Sequence, residues 1–207
     1  MTGHYAALEG IEGAGKSTVA SGVASLLRSR GRDVASVREP GGTPTGERIR
    51  KILLQPGGQL SPWTEALLFA AARAQLAGAV IAPAIAAGSW VIGDRSVYSS
   101  LAYQGVGRNL GVEAVRAVNA AGLGVVWPEL VILLRVGPDV GLERQAVTDR
   151  IGGEGLELHH RVAAGFDGLA AAEPDRFRVV DASAALDAVV DEVAAIVEGS
   201  WATSSPE

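Results

Sequence analysis

The 207-residue sequence predicts an α/β fold, a three-layer sandwich in which a five-stranded parallel sheet is flanked by helices. Short apolar runs alternate along the chain with longer Ala-, Leu- and Val-rich stretches of helical spacing. The runs are too continuously apolar for a half-solvated sheet, so the strands should be covered on both faces. Glycine-rich and charged motifs follow the runs, as a ligand crevice at the carboxyl ends of parallel strands requires. Strands are expected at His4–Glu9, Asp33–Arg38, Trp90–Asp94, Leu130–Val136 and Arg176–Asp181. Helices are expected at Lys16–Ser29, Thr45–Leu54, Pro62–Ala87, Val112–Ala121, Pro138–Gln145, Leu156–Ala172 and Ala184–Glu198.

Lys plus Arg number 18 against 23 Asp plus Glu, a net charge of −5, and 48% of residues are hydrophobic, enough for one domain with a real core. That balance argues against gripping a duplex by broad phosphate neutralisation, so no nucleic-acid partner is expected. A few focused Arg and Lys still suffice for a small phosphorylated ligand. With no Cys, disulfides, iron–sulfur clusters and thiolate zinc sites are excluded, and three His leave little room for an all-protein transition-metal site. No basic region followed by an apolar run opens the chain, so no signal peptide is expected. Ala74 to Gly93 is uncharged and long enough to span a bilayer. It is rich in Ala rather than Leu and broken by Gly78, Pro83, Gly88 and Ser89, and reads better as a buried helix followed by a strand. A cytoplasmic protein with no membrane partner is expected, its tail from about 199 to 207 frayed.

The first strand runs into Gly10-Ile11-Glu12-Gly13-Ala14-Gly15-Lys16-Ser17, which fits G-x-x-x-x-G-K-[ST] and opens the first helix. Its glycines let backbone N–H groups turn inward around an anion, and the helix N-terminus adds partial positive charge. Lys16 can reach the β- and γ-phosphates of a nucleoside triphosphate, and Ser17 can ligate Mg²⁺. The second strand ends in Arg38-Glu39-Pro40-Gly41-Gly42, where Arg38 offers a planar fork for a phosphate and Pro40 begins a tight loop. Taken alone, these residues equally allow a solvated Arg38 paired with Glu39. The third strand ends in Asp94-Arg95. Asp94 stands where a P-loop protein keeps the carboxylate that holds Mg²⁺, and Arg95 would lie between metal and acceptor. Two arginines at neighbouring strand ends suggest a second anionic ligand facing the triphosphate, and a phosphorylated acceptor fits better than water. On the long third helix, Phe69 and Arg73 are four residues apart and share a face. A stacking ring beside a guanidinium would read a pyrimidine with O4. Spacing alone favours the plainer alternative, Phe69 in the core and Arg73 a surface cation.

Taken together, Glu9–Thr18, Arg38–Pro44, Leu68–Arg73, Asp94–Gly105 and the later Asp149-Arg150, Glu154-Gly155-Leu156 and Arg161-Val162 resemble the bacterial thymidylate kinases, across roughly Tyr5 to Ala182. The resemblance implies one P-loop kinase domain over 1–207, with a phosphate loop at 10–17 that extends its nucleotide contacts to Thr18, and a mobile lid at about 141–155. It implies phosphorylation of dTMP to dTDP by ATP with Mg²⁺, on the route to dTTP. Phe69 would stack on thymine, Arg73 would bond its O4, and Arg38 and Arg95 would clamp the monophosphate. Glu12 would approach the sugar 3′-hydroxyl or the acceptor-side solvent network. Ser99 and Gln104 would line the base and sugar pocket with Pro40, and Tyr103 would crowd the 2′ position.

Some members of the family carry a catalytic arginine inside the phosphate loop. Here that position is Ala14, so the lid must supply the charge, with Arg144 and Arg150 the candidates. Each could instead form a surface pair, with Glu143 or Asp149. A homodimer through the Ala-rich face of Pro62–Ala87 is implied too. Gly152-Gly153 departs from the family pattern and could act as a hinge, while Arg135 at the end of strand four has no account in the sequence. His159-His160 reads as helix surface. Three rivals remain: a kinase for dUMP or dCMP, a P-loop switch that binds partners and has no phosphoryl acceptor, and a paralogue that binds nucleotide but turns over poorly because its lid is sparse.

Overall fold

A computed structural model describes residues 3–144 and 150–201. Five parallel strands, β1 (His4–Glu9), β2 (Val34–Arg38), β3 (Trp90–Asp94), β4 (Leu130–Arg135) and β5 (Phe177–Asp181), form one sheet in the order β2-β3-β1-β4-β5. This is the expected α/β architecture. Alternate residues of central β1 serve opposite faces. Ala6 and Leu8 join the larger core cluster with Val19, Val23 and Leu27 of α1 (Lys16–Ser29) and Val193 and Val197 of α9 (Leu186–Trp201). Tyr5 and Ala7 join a smaller one with Leu76 and Ile81. Complete burial of one such Leu or Val contributes about 1.5–3 kcal/mol, which is why the middle of the central strand, from Tyr5 to Leu8, is apolar.

Local chemistry sets the helix starts near the site. Thr43 caps α2 (Pro44–Leu54), its hydroxyl accepting from Gly46 N at 2.9 Å, and Pro44 takes the first turn where no N–H is needed. Ser61 and Pro62 do the same for α3 (Pro62–Leu76). The helix expected over Pro62–Ala87 is a rod in three parts, α3, a π-helical turn Ala77–Ile81 and α4 (Ala82–Ala86). Pro83 has no N–H and its ring crowds the carbonyl four residues back; the wider turn ahead of it lets the rod continue. The expectation of a buried helix needs correction here. Pro62–Ala86 is long and apolar enough to cross a membrane, and only 28% of its most apolar stretch is buried within the chain. It nevertheless packs on α2 and α6 (Val112–Leu123) and buries the charged Glu65 and Arg73.

The reading also leaves 97–107 without an element, where the structure has α5 (Val97–Ser100) running into a π-helical segment, Leu101–Gly107. Nearly every residue of it is buried, so no amphipathic period marks it in the sequence. Three more helices complete the fold: α6, α7 (Pro138–Arg144) and α8 (Leu156–Ala172). At the far end α9 continues past Glu198 to Trp201, which stacks on His4 with ring centroids 4.9 Å apart, so the fraying expected from residue 199 does not begin there.

Candidate active site

Strand register brings three carboxyl ends side by side: Leu8 of β1 and Arg38 of β2 both stand opposite Asp94 of β3. The phosphate loop leaves β1 beyond Glu9 and enters α1 at Lys16. Lys16 lies folded across it, its Nζ donating to the carbonyls of Gly10 at 3.0 Å and Ile11 at 2.6 Å. Burial, then the Arg95 charge, lowers its pKa to about 8. Ser17 Oγ donates to Asp94 Oδ2 at 2.5 Å.

Arg95 holds the centre. It sits in the left-handed region at φ 73°, a conformation that costs a non-glycine residue about 1–3 kcal/mol and is kept where a side chain must be aimed. Its guanidinium donates to Glu12 Oε1 at 2.9 Å, Ser99 Oγ at 3.2 Å and the Gly10 carbonyl at 3.4 Å. The Tyr103 hydroxyl donates to the other oxygen of Glu12. Burial pushes the Glu12 carboxyl up, but Arg95, with Lys16 and Tyr103, outweighs it and holds the group well below the usual carboxylate range. Beneath them the buried Glu9 accepts from the backbone N–H and the hydroxyl of both Ser96 and Ser99, capping α5 and fixing the turn that carries Arg95. Burial raises the pKa of Glu9.

These groups line a cleft of about 490 Å³. From the expected set it is bordered by Glu12, Gly13, Gly15, Lys16, Ser17, Thr18, Arg38, Pro40, Phe69, Asp94, Arg95, Ser99, Tyr103, Gln104 and Arg144. Gly10, Ile11 and Ala14 stand behind its wall, Ile11 and Ala14 in the apolar core. Arg38 is half exposed and pairs with Glu47 at 2.9 Å rather than with Glu39.

Arg73 is neither a surface cation nor a lining residue. It is 2% exposed and donates to Glu39 Oε2 (2.6 Å), Ser100 Oγ (3.0 Å), Asn119 Oδ1 (2.5 Å) and the Ser96 carbonyl (3.1 Å), which uses four of its five N–H groups. Burial, reinforced by Glu9, outweighs Arg73 and pushes Glu39 up to about 7.

The two arginines expected on the lid are separated. Arg144 borders the cleft and donates to the Ala182 carbonyl at 2.9 Å. Arg150 turns away to the Leu53 carbonyl and to Glu65 Oε2, each at 2.7 Å. Glu65 also receives Gln104 at 2.8 Å and Arg108, which reaches on to Glu154 at 2.6 Å. The rest of the expected lid falls partly on 145–149, including Asp149, outside the described residues. Arg135 gains its account as the partner of Asp167 at 2.6 Å. His159 is fully buried against Glu12, not on the helix surface. The sequence reading missed Arg50 and Leu54, which line the cleft from α2. Their i, i+4 spacing, the same that singles out Phe69 and Arg73, was the available signal.

A phosphate loop that shares one cleft with Asp94 and with Arg38, Arg50 and Arg95 defines a P-loop phosphotransferase that takes a donor and an acceptor. The chain belongs to the thymidylate kinase family, whose model matches residues 8–193. It is 46% identical over 190 residues to the thymidylate kinase of Pelotomaculum thermopropionicum, covering 89% of this chain and 88% of that one. Identity to the thymidylate kinase of Synechococcus sp. (strain JA-3-3Ab) is 47% over 178 residues, 86% and 87% of the two chains. The thymidylate kinase of Deinococcus radiodurans is 43% identical over 198 residues, 94% and 96%. The chain is accordingly an enzyme of the nucleoside monophosphate kinase class, and its family implies ATP as phosphate donor.

Proposed function

We propose that the chain transfers the γ-phosphoryl group of ATP to dTMP in a single in-line step, giving ADP and dTDP. The observation that carries this reading is Arg95, aimed from a strained backbone position into the cleft that it lines with Arg38, Asp94 and the phosphate loop. An acceptor phosphate is already nucleophilic, so positioning and charge neutralisation suffice. Lys16 exchanges its two loop carbonyls for the donor phosphates. Arg38, Arg50 and Arg95 hold the acceptor phosphate, Phe69 stacks on the base, and Ser99, Tyr103 and Gln104 close around base and sugar. Arg73 has one N–H left, which meets a ring carbonyl only once the guanidinium emerges from behind the cleft wall, its bond to Glu39 orienting it.

Ser17 and Asp94 present two hard oxygen donors in direct contact, a set that suits Mg²⁺ completed by phosphate and water oxygens. When bound, Mg²⁺ offsets the charge of the donor phosphates. Arg144 is the cationic group for the transferred phosphoryl, whereas Arg150 ties the segment after 149 to Glu65. A cytoplasmic enzyme with no nucleic-acid or membrane partner fits the acidic, Cys-free composition.

ADP release should be measured with Mg-ATP and dTMP, dUMP, dCMP, ribo-TMP or no acceptor. Release that depends on dTMP is expected, dUMP being weaker by the about 1–3 kcal/mol that a methyl group provides. Equal slow release with every acceptor and with none would sink the reading. In the same assay Arg144→Ala is expected to lower kcat about 10²-fold and Arg150→Ala less than tenfold; the reverse order would exchange their roles.

The outward face of α2 and α3, with Ile52, Trp63 and Leu67 each between 41% and 52% exposed, is the proposed homodimer surface. Sedimentation should give about twice the 21.2 kDa chain mass at micromolar concentration, and a monomer there would remove this proposal.

A further inference from the structure

His159 lies on α8, whose contacts with the segment Leu101–Gly107 bring it behind the cleft. The ring is 0% exposed. Its Nδ1 stands 3.3 Å from Glu12 Oε2, in an orientation that forms no hydrogen bond, and Nε2 has no partner either. Among the described residues these are the buried side-chain polar atoms left without one. Buried polar groups are nearly always paired, so an unmatched Nδ1 beside a cleft carboxylate calls for a physical reason.

Glu12 supplies it. Arg95 occupies one of its oxygens and the Tyr103 hydroxyl the other, which leaves lone pairs for one donor from the protein and one from a ligand. A carboxylate repels an acceptor's phosphate; what it can receive is a hydroxyl, and on a nucleoside monophosphate that hydroxyl belongs to the sugar. Arg95 arrives from the end of β3, Tyr103 from the π-helical segment and His159 from α8, so three separate elements converge on this one group.

We infer that His159 is a positioning residue for the acceptor sugar. With its proton on Nδ1 it donates to Glu12 Oε2 as the acceptor draws the carboxylate into line, and so sets the oxygen that receives the 3′-hydroxyl. This rests on the dTMP reading above.

The test compares kcat and KM for dTMP and for 3′-deoxy-dTMP in the wild type and in His159→Leu, His159→Asn and His159→Gln. An Asn amide can place an N–H where Nδ1 stands; the Gln amide reaches the Nε2 position instead. His159→Leu is expected to lower kcat/KM for dTMP about tenfold, mainly through KM, and to leave 3′-deoxy-dTMP within about twofold of wild type. His159→Asn should recover dTMP use to within about threefold of wild type, and His159→Gln should not. Equal losses on the two acceptors, or Asn and Gln behaving alike, would mean a merely structural histidine. If His159→Leu does not fold, as a thermal melt would show, the Asn–Gln comparison decides by itself. A wild type inactive on dTMP overturns the acceptor reading and this inference together; an active wild type with indistinguishable Asn and Gln variants overturns only the inference.

Discussion

Replacing Arg95 with Ala is expected to lower kcat/KM for the acceptor about 10³-fold. Its guanidinium gathers Glu12, Ser99 and the Gly10 carbonyl and lies 5.4 Å from the Tyr103 ring centroid, so its loss frees the carboxylate and, on the proposed reading, the acceptor phosphate at once. A variant keeping a tenth or more of wild-type kcat/KM would refute its assignment to the acceptor. Stability should respond in a recognisable way. Ala inherits the costly φ of 73° and Gly does not, so Arg95→Gly should melt above Arg95→Ala while being just as inactive.

The pH dependence has a definite sign. Arg95 is the foremost group opposing the burial that would otherwise raise Glu12. A carboxyl depressed in the folded state stabilises the fold above its unfolded pKa and loses that contribution as pH falls through the folded one. The melting deficit of Arg95→Ala should therefore be larger at pH 7 than at pH 3. A deficit independent of pH would mean that Glu12 is not held by Arg95.

How much of this was legible in the sequence follows from how local each signal is. The phosphate loop is a contiguous string, and the strands are short runs apolar on both faces, so both could be read directly. Arg38 and Asp94 could be placed together because parallel strands end at one edge, which the register realises. Glu39 with Arg73, Glu65 with Arg108 and Arg150, and Glu12 with His159 are pairs dozens of residues apart, and only the packed structure decides them. Arg73 illustrates the difference. Its spacing from Phe69 put both on one face of α3, but four protein acceptors surround the guanidinium and draw it behind the cleft wall. The buried segment 97–107 failed for the opposite reason, since a helix covered on every side has no polar face to give its period away. His159 failed because a histidine in an otherwise polar stretch looks the same whether its neighbours are water or a carboxylate.

Gly13→Ala is expected to reduce kcat/KM for ATP at least about 10²-fold without unfolding the chain. Gly13 has φ +72°, and a Cβ there would stand 1.8 Å from the carbonyl oxygen of Gly141 on α7. The left-handed backbone alone costs an alanine about 1–2 kcal/mol, which a fold of this size withstands. The contact is different in kind, because the added Cβ is fixed to the loop backbone and the atom it meets is backbone, so neither can rotate away. It can be relieved only by moving the loop or by pushing α7 outward, and α7 carries Arg144 at the cleft. Either movement spoils the alignment of donor phosphate, Lys16 and Arg144 on which the proposed in-line transfer depends. Gly31 separates strain from collision, since it has φ +83° and a Cβ there would meet nothing within 4 Å. Gly31→Ala should lower the melting temperature as much as backbone strain requires and leave turnover within about twofold of wild type. Should Gly13→Ala behave like Gly31→Ala, with a modest loss of stability and near-normal turnover, the loop and α7 move independently, and the close approach of Gly13 to Gly141 has no part in placing Arg144.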